Sequence, residues 1–454
     1  MTDEPATTEA PFSDPEAEEG ESAAAQARSG IRVRLGELFG RGDPVLGVLV
    51  TSTFVLTLGR GVFLTLTVLY LTVVARLTPG EIALASTSAA VVGIGASYLG
   101  GWLADRLSAR KLLISLEIIN SVVLFCYVFV GDLVLAIIIG CLNFAASSGA
   151  HSANAAIIAR GFEGPRRIRA RAVLRTVTNV GISIGSGAAA LALVINTPEA
   201  YRVLLGAAAV VSLVSVAVLF RLPAYVDAGR GAPAEAEATA PVKGRNPWRD
   251  PRYLGFVALS SIFGIQFGVF EFGVPLWIEH HTDAPLVLVS ILLILNTVIV
   301  TAFTVTLSRG TEDPHRAGRV FVVSGVLMAV ACVVYALAAG APIWFAIVVL
   351  LLAGVAHAFA EVLSQGAGWG LAFELADQRS VGAYQGMVGM GWGVLSAVGP
   401  PLIAVTALAM GFWGWVILAG MFLLSSFGVL LIGRRAAAQF ARERAAAPAE
   451  APAA

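Results

Sequence analysis

Residues 99–114 read LGGWLADRLSARKLLI, and this stretch decides what kind of molecule the chain is. Four charged residues, Asp105, Arg106, Arg110 and Lys111, form a short polar island. Upstream, residues 82–103 carry no charge; downstream, residues 112–131 carry only Glu117. A helix rises about 1.5 Å per residue, so about 20 apolar residues cover the hydrocarbon core of a bilayer. The island is therefore a turn at a membrane surface, joining two helices that cross in opposite directions.

Working outward, the same pattern recurs along the chain. Twelve apolar runs occur at 45–72, 82–103, 112–131, 133–158, 172–195, 201–221, 253–278, 286–308, 320–340, 342–364, 381–408 and 412–433. Strands of a membrane barrel would be about 10 residues long and alternate with polar residues; these runs are twice as long and apolar on every face. Composition agrees: of 454 residues, 57% are hydrophobic and 13% charged, where a soluble domain has about 25% charged. Mean hydropathy is +0.81. A water-soluble enzyme is excluded, because its water-facing shell could not be built from this composition. The expected fold class is an all-α membrane protein of twelve transmembrane helices.

Charge placement gives the sidedness. With the N-terminus in the cytoplasm, the inner segments are 104–111, 159–171, 222–252, 309–319, 365–380 and both tails. Of the 30 basic residues, only Arg76 and Arg202 then fall in outer loops, with Arg60 mid-span. Outer loops carry Asp132, Glu199, Glu279 and Asp283 instead. The reading is a multi-pass protein of the cell membrane with both termini cytoplasmic. Residues 1–21 hold eight acids, no base and no apolar core, so they do not read as a signal peptide, and the first span is expected to direct insertion. Cys126, Cys141 and Cys332 lie within apolar runs and form neither a disulfide framework nor a metal-binding spacing. Net charge is zero and gives no sign of nucleic-acid binding.

The expected organisation is an acidic, disordered tail at 1–43, a six-helix bundle at 44–222, a linker at 223–251 rich in Ala, Pro and Gly, a second bundle at 252–435, and a tail at 436–454. Ile31, Leu35, Leu38 and Phe39 stand at helical spacing beside Arg32 and Arg34. They read either as a juxtamembrane amphipathic helix or as a basic flank of the first span. The halves repeat weakly: Gly181 and Gly187 match Gly393 and Gly399, and Asp105 matches Asp313, each followed by bases. Six spans per unit keep both copies in one orientation, the arrangement of parallel-repeat transporters.

The segment from Gly101 through Asp105, Arg106 and Arg110 to Lys111 resembles the loop motif of the major facilitator superfamily, departing at Ala109 where that family usually has Gly. With the six-plus-six layout, the resemblance extends over residues 45–433. It implies two pseudo-symmetric bundles that rock about a central cavity lined by spans 1, 4, 7 and 10. It also implies that Asp105 meets the start of span 11 as an inner gate. From the residues alone, Asp105 could cap a helix N-terminus or pair with Arg110. Within the superfamily the chain looks most like bacterial drug and metabolite exporters. The run from Gly181 through Gly185 to Gly187 resembles their fifth-span motif without its proline and final glycine pair, and the span-four arginine common there is absent.

Polar residues cluster in the spans assigned to the cavity: Arg60; Asn143, His151 and Asn154; Gln266 and Glu271; His357 and Glu361. An ionisable side chain within a span costs about 2.5–3.5 kcal/mol on insertion scales and reads as functional. At about 1.5 Å per residue, Arg60 and Glu271 both fall in the outer half, where they are expected to form an ion pair or be bridged by substrate, with Glu271 carrying a coupling proton. The opposing reading is a static structural pair. His151, His357 and Glu361 suggest a proton relay at the inner gate, or side chains at a wet mouth. Glu117 reads as a partner of Lys111 or His151. Arg171, Arg175 and Asn179 share one face of span 5; either Arg175 and Asn179 reach the cavity, or the two arginines bind lipid phosphates. Phe267, Trp277, Trp369 and Trp392 offer aromatic surface for an amphiphilic molecule.

The function expected is proton-coupled export of a hydrophobic or amphiphilic small molecule by alternating access. The partners are that molecule, protons and lipid; the chain acts as a monomer and needs no cofactor or metal. The competing readings are a metabolite importer or facilitator, and a non-transporting membrane receptor or assembly partner. No phosphate-binding loop or acid–base set points to ATP-driven pumping or to enzyme chemistry.

Overall fold

In a computed structural model, residues 43–195, 197–227 and 244–446 are described. They form twelve membrane-scale helices: α1 Pro44–Val73, α2 Pro79–Ala104, α3 Ala109–Phe129, α4 Leu133–Gly161, α5 Gly164–Ile195, α6 Pro198–Leu219, α7 Pro251–His281, α8 Val287–Leu307, α9 Pro314–Ala336, α10 Ile343–Glu374, α11 Gln378–Leu408 and α12 Phe412–Ala446. Eleven are long and apolar enough to cross a membrane; α5 is the exception, with Arg166, Arg167, Arg169, Arg171 and Arg175 in its first half. The amphipathic segment expected at 31–39 and the middle of the linker lie outside the described residues.

Local chemistry fixes where the helices begin. The Asp43 carboxylate accepts from Val45 N at 3.1 Å, and Asp132, Asp250 and Asp313 start α4, α7 and α9 likewise. Thr78 and Glu81 form a reciprocal capping box at α2. The amide and hydroxyl of Thr78 hold the Glu81 carboxyl below its ordinary range. Proline occupies the first turn of α1, α2, α6, α7 and α9, where its missing N–H costs nothing.

Two expected loops are mostly helix. Between α4 and α5 only Phe162 and Glu163 are non-helical, and α10 continues to Glu374. The charged turns ride on helices that project past the apolar zone, where backbone hydrogen bonding continues at no cost. Large apolar side chains such as Val298 and Leu424 point outward, as a lipid-facing surface requires.

The helices pack as two groups. In the first, α1 lies on α5 and α6, α2 on α4, and α3 on α4 and α6; in the second, α9 lies on α10 and α12, α7 on α11 and α12, and α8 on α10. The groups meet mainly through α2 and α4 against α11, and α5 against α8 and α10. Both described chain ends emerge on one face, called here the terminal face. Every hydrogen bond and ion pair described below between the groups lies in the half of the molecule next to it. Two π-helical turns, Val269–Gly273 in α7 and Ala404–Leu408 in α11, interrupt the opposite half, and Glu271 sits on the first.

Candidate functional site

At the terminal face α2 and α11 approach with no side chain between them. A Cβ added to Gly101 would run into the Gly382 carbonyl, and one added to Gly386 would lie 2.7 Å from the Ser97 carbonyl. Ser97 Oγ donates to the Gly386 carbonyl at 3.2 Å and shares a 3.0 Å hydrogen bond with Ser152 of α4. Small residues let backbones touch in this way. The seam continues to Gly393 against Ile94, eleven residues or about 16 Å along the helix.

Asp105, the C-cap of α2, locks the end of this seam. Its carboxylate accepts from Gly382 N and Ala383 N, each at 2.7 Å, at the start of α11. Arg160 of α4 completes the site at 2.6 Å. Burial pushes the Asp105 carboxyl up; the two amides and the Arg160 charge pull it back. A desolvated carboxylate is tolerated only with such compensation. Asp105 pairs with Arg160 and not with Arg110. Arg110 donates from its guanidinium to the Phe220 carbonyl at 2.8 Å, and its backbone N–H binds Asp227 at the start of the linker. Arg106 stacks over Trp102 at 3.6 Å, and Lys111 is exposed, its amide capped by Ser108. The repeat-related Asp313 caps its own helix through Arg316 N.

Deeper, a polar floor bridges the two groups. Arg175 of α5 bonds the Glu361 carboxylate of α10, and donates to Gln365 Oε1 at 3.1 Å. Asn296 of α8 donates to the other oxygen of Glu361 at 3.1 Å, and Trp369 Nε1 donates to Gln365 at 3.3 Å. Arg171, one turn before Arg175, lies 3.8 Å over the Trp369 ring and 3.0 Å from His151 Nε2. Because an arginine only donates, Nε2 accepts and the imidazole is neutral with its proton on Nδ1. Nearer the terminal face, Arg167 faces Glu374 at 3.7 Å.

Several expected groupings are not assembled. Arg60 and Glu271 form no ion pair. Both are exposed; Arg60 has Glu117 as its acidic neighbour, whereas Glu271 feels Glu361 and Arg175. The reason is geometric: Arg60 lies on α1 and Glu271 on α7, two helices that do not pack closely against each other. Glu117 is buried and accepts weakly from Asn120 at 3.4 Å, and Asn120 in turn accepts from Asn143 at 3.0 Å. It therefore contacts neither Lys111 nor His151. The three-residue relay is not formed: His151 bonds Arg171, while His357 is fully buried between Phe270 and Tyr335. Gln266 is buried inside the second group, donating to Ser364 Oγ at 2.9 Å with its carbonyl oxygen unpartnered. Asn179 is half-buried, on the α5 face that carries Arg171 and Arg175.

Arg160, Asn296, Asn120 and Gln365 bond the candidate residues and are missed by sequence reasoning. Asn296 carries a readable signal, as the lone amide in the apolar run of α8. Arg160 does not, because it resembles any surface base of an inner loop. Among the described residues no group of three or more His, Cys, Asp and Glu side chains could hold a metal ion.

Comparison with known proteins matches this architecture. The model of the Major Facilitator Superfamily matches residues 49–400. No curated protein matches the chain in sequence. In structure it is similar to the human organic anion transporter MFSD10 (TETRAN), with TM-score 0.66, 14% identity, and coverage of 85% of this chain and 99% of that one. It is also similar to the proton:xylose symporter XylE bound to 6-bromo-6-deoxy-D-glucose, with TM-score 0.57, 13% identity, and coverage of 88% and 95%. At such identities the likeness is one of fold. Two helix groups closed against each other at one face, and a family match over most of the chain, place this protein in the Major Facilitator Superfamily of multi-pass membrane transporters.

Proposed function

We propose that the chain is a secondary active transporter that exports a hydrophobic or amphiphilic small molecule in exchange for protons, by alternating access. The terminal face is taken as cytoplasmic, following the excess of arginine there. The conformation described is then closed to the cytoplasm, with the cavity offered to the other side.

The observation that carries this reading is the Arg175–Glu361 pair. It ties the two groups across the cavity floor, and Glu361 is buried with Asn296 as its second donor. A proton placed on Glu361 removes the charge that holds Arg175. Proton binding and the closure of the groups are thereby linked through one carboxylate, which is what coupling requires. Glu271, facing the same arginine from α7, is the second acid of the pathway, and proton entry from the open side reaches it first.

The test is substrate flux in proteoliposomes with an imposed pH gradient. Glu361→Gln leaves downhill exchange measurable and abolishes the response to the gradient. Gradient-driven export by the Glu361→Gln variant at the wild-type rate refutes the assignment of the proton.

A further inference from the structure

The two described ends of the linker are held differently. The end leaving α6 stays with the first group. Its Asp227 carboxylate caps α3 through Ser108 Oγ and the Arg110 amide, and Arg110 returns to the Phe220 carbonyl. The end entering α7 lies on the start of α11 instead. The Asp377 carboxylate accepts from Arg245 N at 2.8 Å, and Ser380 Oγ donates to the Arg245 carbonyl at 2.8 Å. Gly244 is pressed so closely on Ser380 that an added Cβ would lie 2.7 Å from its hydroxyl. The Tyr384 hydroxyl donates to Asp250 Oδ2 at 3.2 Å, while the Tyr253 hydroxyl donates to the Tyr384 carbonyl at 3.1 Å.

These clips stand at Asp377, Ser380 and Tyr384, on both sides of Gly382 and Ala383, whose amides receive Asp105 from the first group. The open N–H groups of a helix start serve a partner only while the first turn stays wound and aimed. The linker end fixes that turn.

One side chain of the same segment crosses to the first group. Trp248, whose amide is capped by Asn246 Oδ1 at 3.1 Å, sets its ring against Tyr98 of α2, with centroids 5.6 Å apart and planes at 68°. Tyr98 belongs to the seam, since a Cβ added to Gly386 of α11 would lie 3.0 Å from Tyr98 Cα. Trp248 remains 48% exposed, so burial within its own group does not account for its place. Edge-to-face rings attract beyond the area they bury, and this pair exists only while the two groups are together.

We propose, on the alternating-access reading above, that residues 244–250 of the linker are part of the gate. They hold the first turn of α11 where it receives Asp105, and Trp248 closes on Tyr98 as a further bond between the groups. Asp377, Ser380 and Tyr384 are positioning residues that act through the amides of Gly382 and Ala383; Trp248 acts directly.

The test uses the full chain in nanodiscs with Ser97→Cys as the sole cysteine and a water-soluble maleimide. Trp248→Ala is expected to raise the labelling rate about 2- to 12-fold, the worth of one aromatic pair, and Trp248→Phe restores part of the protection. Tyr98→Ala acts alike, and the double variant Tyr98→Ala/Trp248→Ala labels no faster than the faster single one. Ser380→Ala combined with Tyr384→Phe also raises the rate, whereas Asp227→Ala, at the end held by the first group, leaves it unchanged. A Trp248 that merely anchored the linker at the membrane surface would give a double variant in which the two single effects multiply. That result, a Trp248→Ala rate equal to the parent's, or an unmoved rate in Ser380→Ala/Tyr384→Phe overturns the proposal. Labelling needs no transported molecule, so the two claims separate. Faster labelling in these variants with no flux by the parent keeps the gate contact and defeats the transport reading; gradient-driven flux with labelling unmoved by Trp248→Ala does the reverse.

Discussion

The carboxylate of Asp105 and the amide of Gly382, 277 residues apart in sequence, are joined by a 2.7 Å hydrogen bond that ties one helix group to the other. Ala383 N makes a second bond of the same length, and Arg160 a third contact. An acceptor in this place answers two of the four N–H groups that every helix leaves open at its start, and a negative charge there adds up to about 2 kcal/mol in a partly buried site.

Asp105→Asn keeps the shape and loses the charge and one acceptor. The closed terminal face weakens by about 1–3 kcal/mol, shifting the population toward the open form by about 5- to 150-fold. Labelling of Ser97→Cys, buried in the seam, by an aqueous thiol reagent measures this in a background without the native cysteines. A labelling rate equal to that of the parent removes Asp105 from the gate.

Gly101→Val tests the seam without touching a charge. Its side chain would press into the Gly382 carbonyl of α11, and neither backbone can yield because both are helical. The closed form is expected to be lost while the individual groups stay folded. The same Ser97→Cys labelling assay should report an open terminal face with wild-type helicity by circular dichroism; a thiol still protected from the reagent contradicts the packing.

Arg175 and Glu361 act as one unit if the floor works as argued. Arg175→Gln and Glu361→Gln each destabilise the closed conformer. The double variant loses less than the sum of the two, with a coupling energy of about 0.5–3 kcal/mol. Thermal unfolding in detergent with all four proteins closes the cycle. Strict additivity would make the pair incidental.

Asp227, at the start of the linker, accepts from Ser108 Oγ at 2.6 Å and from Arg110 N at 3.0 Å, closing the N-terminus of α3 from outside the helix. Asp227→Ala is expected to cost about 1 kcal/mol, in line with lost helix caps. The melting temperature should fall by about 2–4 °C or less, with transport retained. A loss of transport at unchanged stability would instead give the linker a part in the conformational cycle.

The helices were legible because lipid imposes a length and a composition that no packing detail overrides. Residues 99–114 alone showed two spans and the turn between them. Pairings were less legible. Arg60 and Glu271 are matched in depth by residue count, yet depth says nothing about whether two groups of helices touch at that level. Glu361 was visible as a costly charge, but its partner depended on how α5 rotates against α10, and a single turn of four residues separates Arg171, which stacks on Trp369, from Arg175, which takes the carboxylate. Arg160 lay hidden among many similar bases, since only the tertiary fold brings it 2.6 Å from Asp105. The sequence repeat also promised more symmetry than exists: Asp105 reaches across to α11, while Asp313 stays on its own helix.

The glycine contacts between α2 and α11 have an energetic corollary. When these helices part, what is uncovered is chiefly peptide backbone and small side chains, which water hydrates readily, so little apolar area changes hands and few rotamers are frozen or freed. The two states of the seam can then differ by little in free energy, and a modest ligand or ion gradient suffices to throw the balance either way. A seam filled with leucine would hold more firmly and, for the same reason, would turn over more slowly.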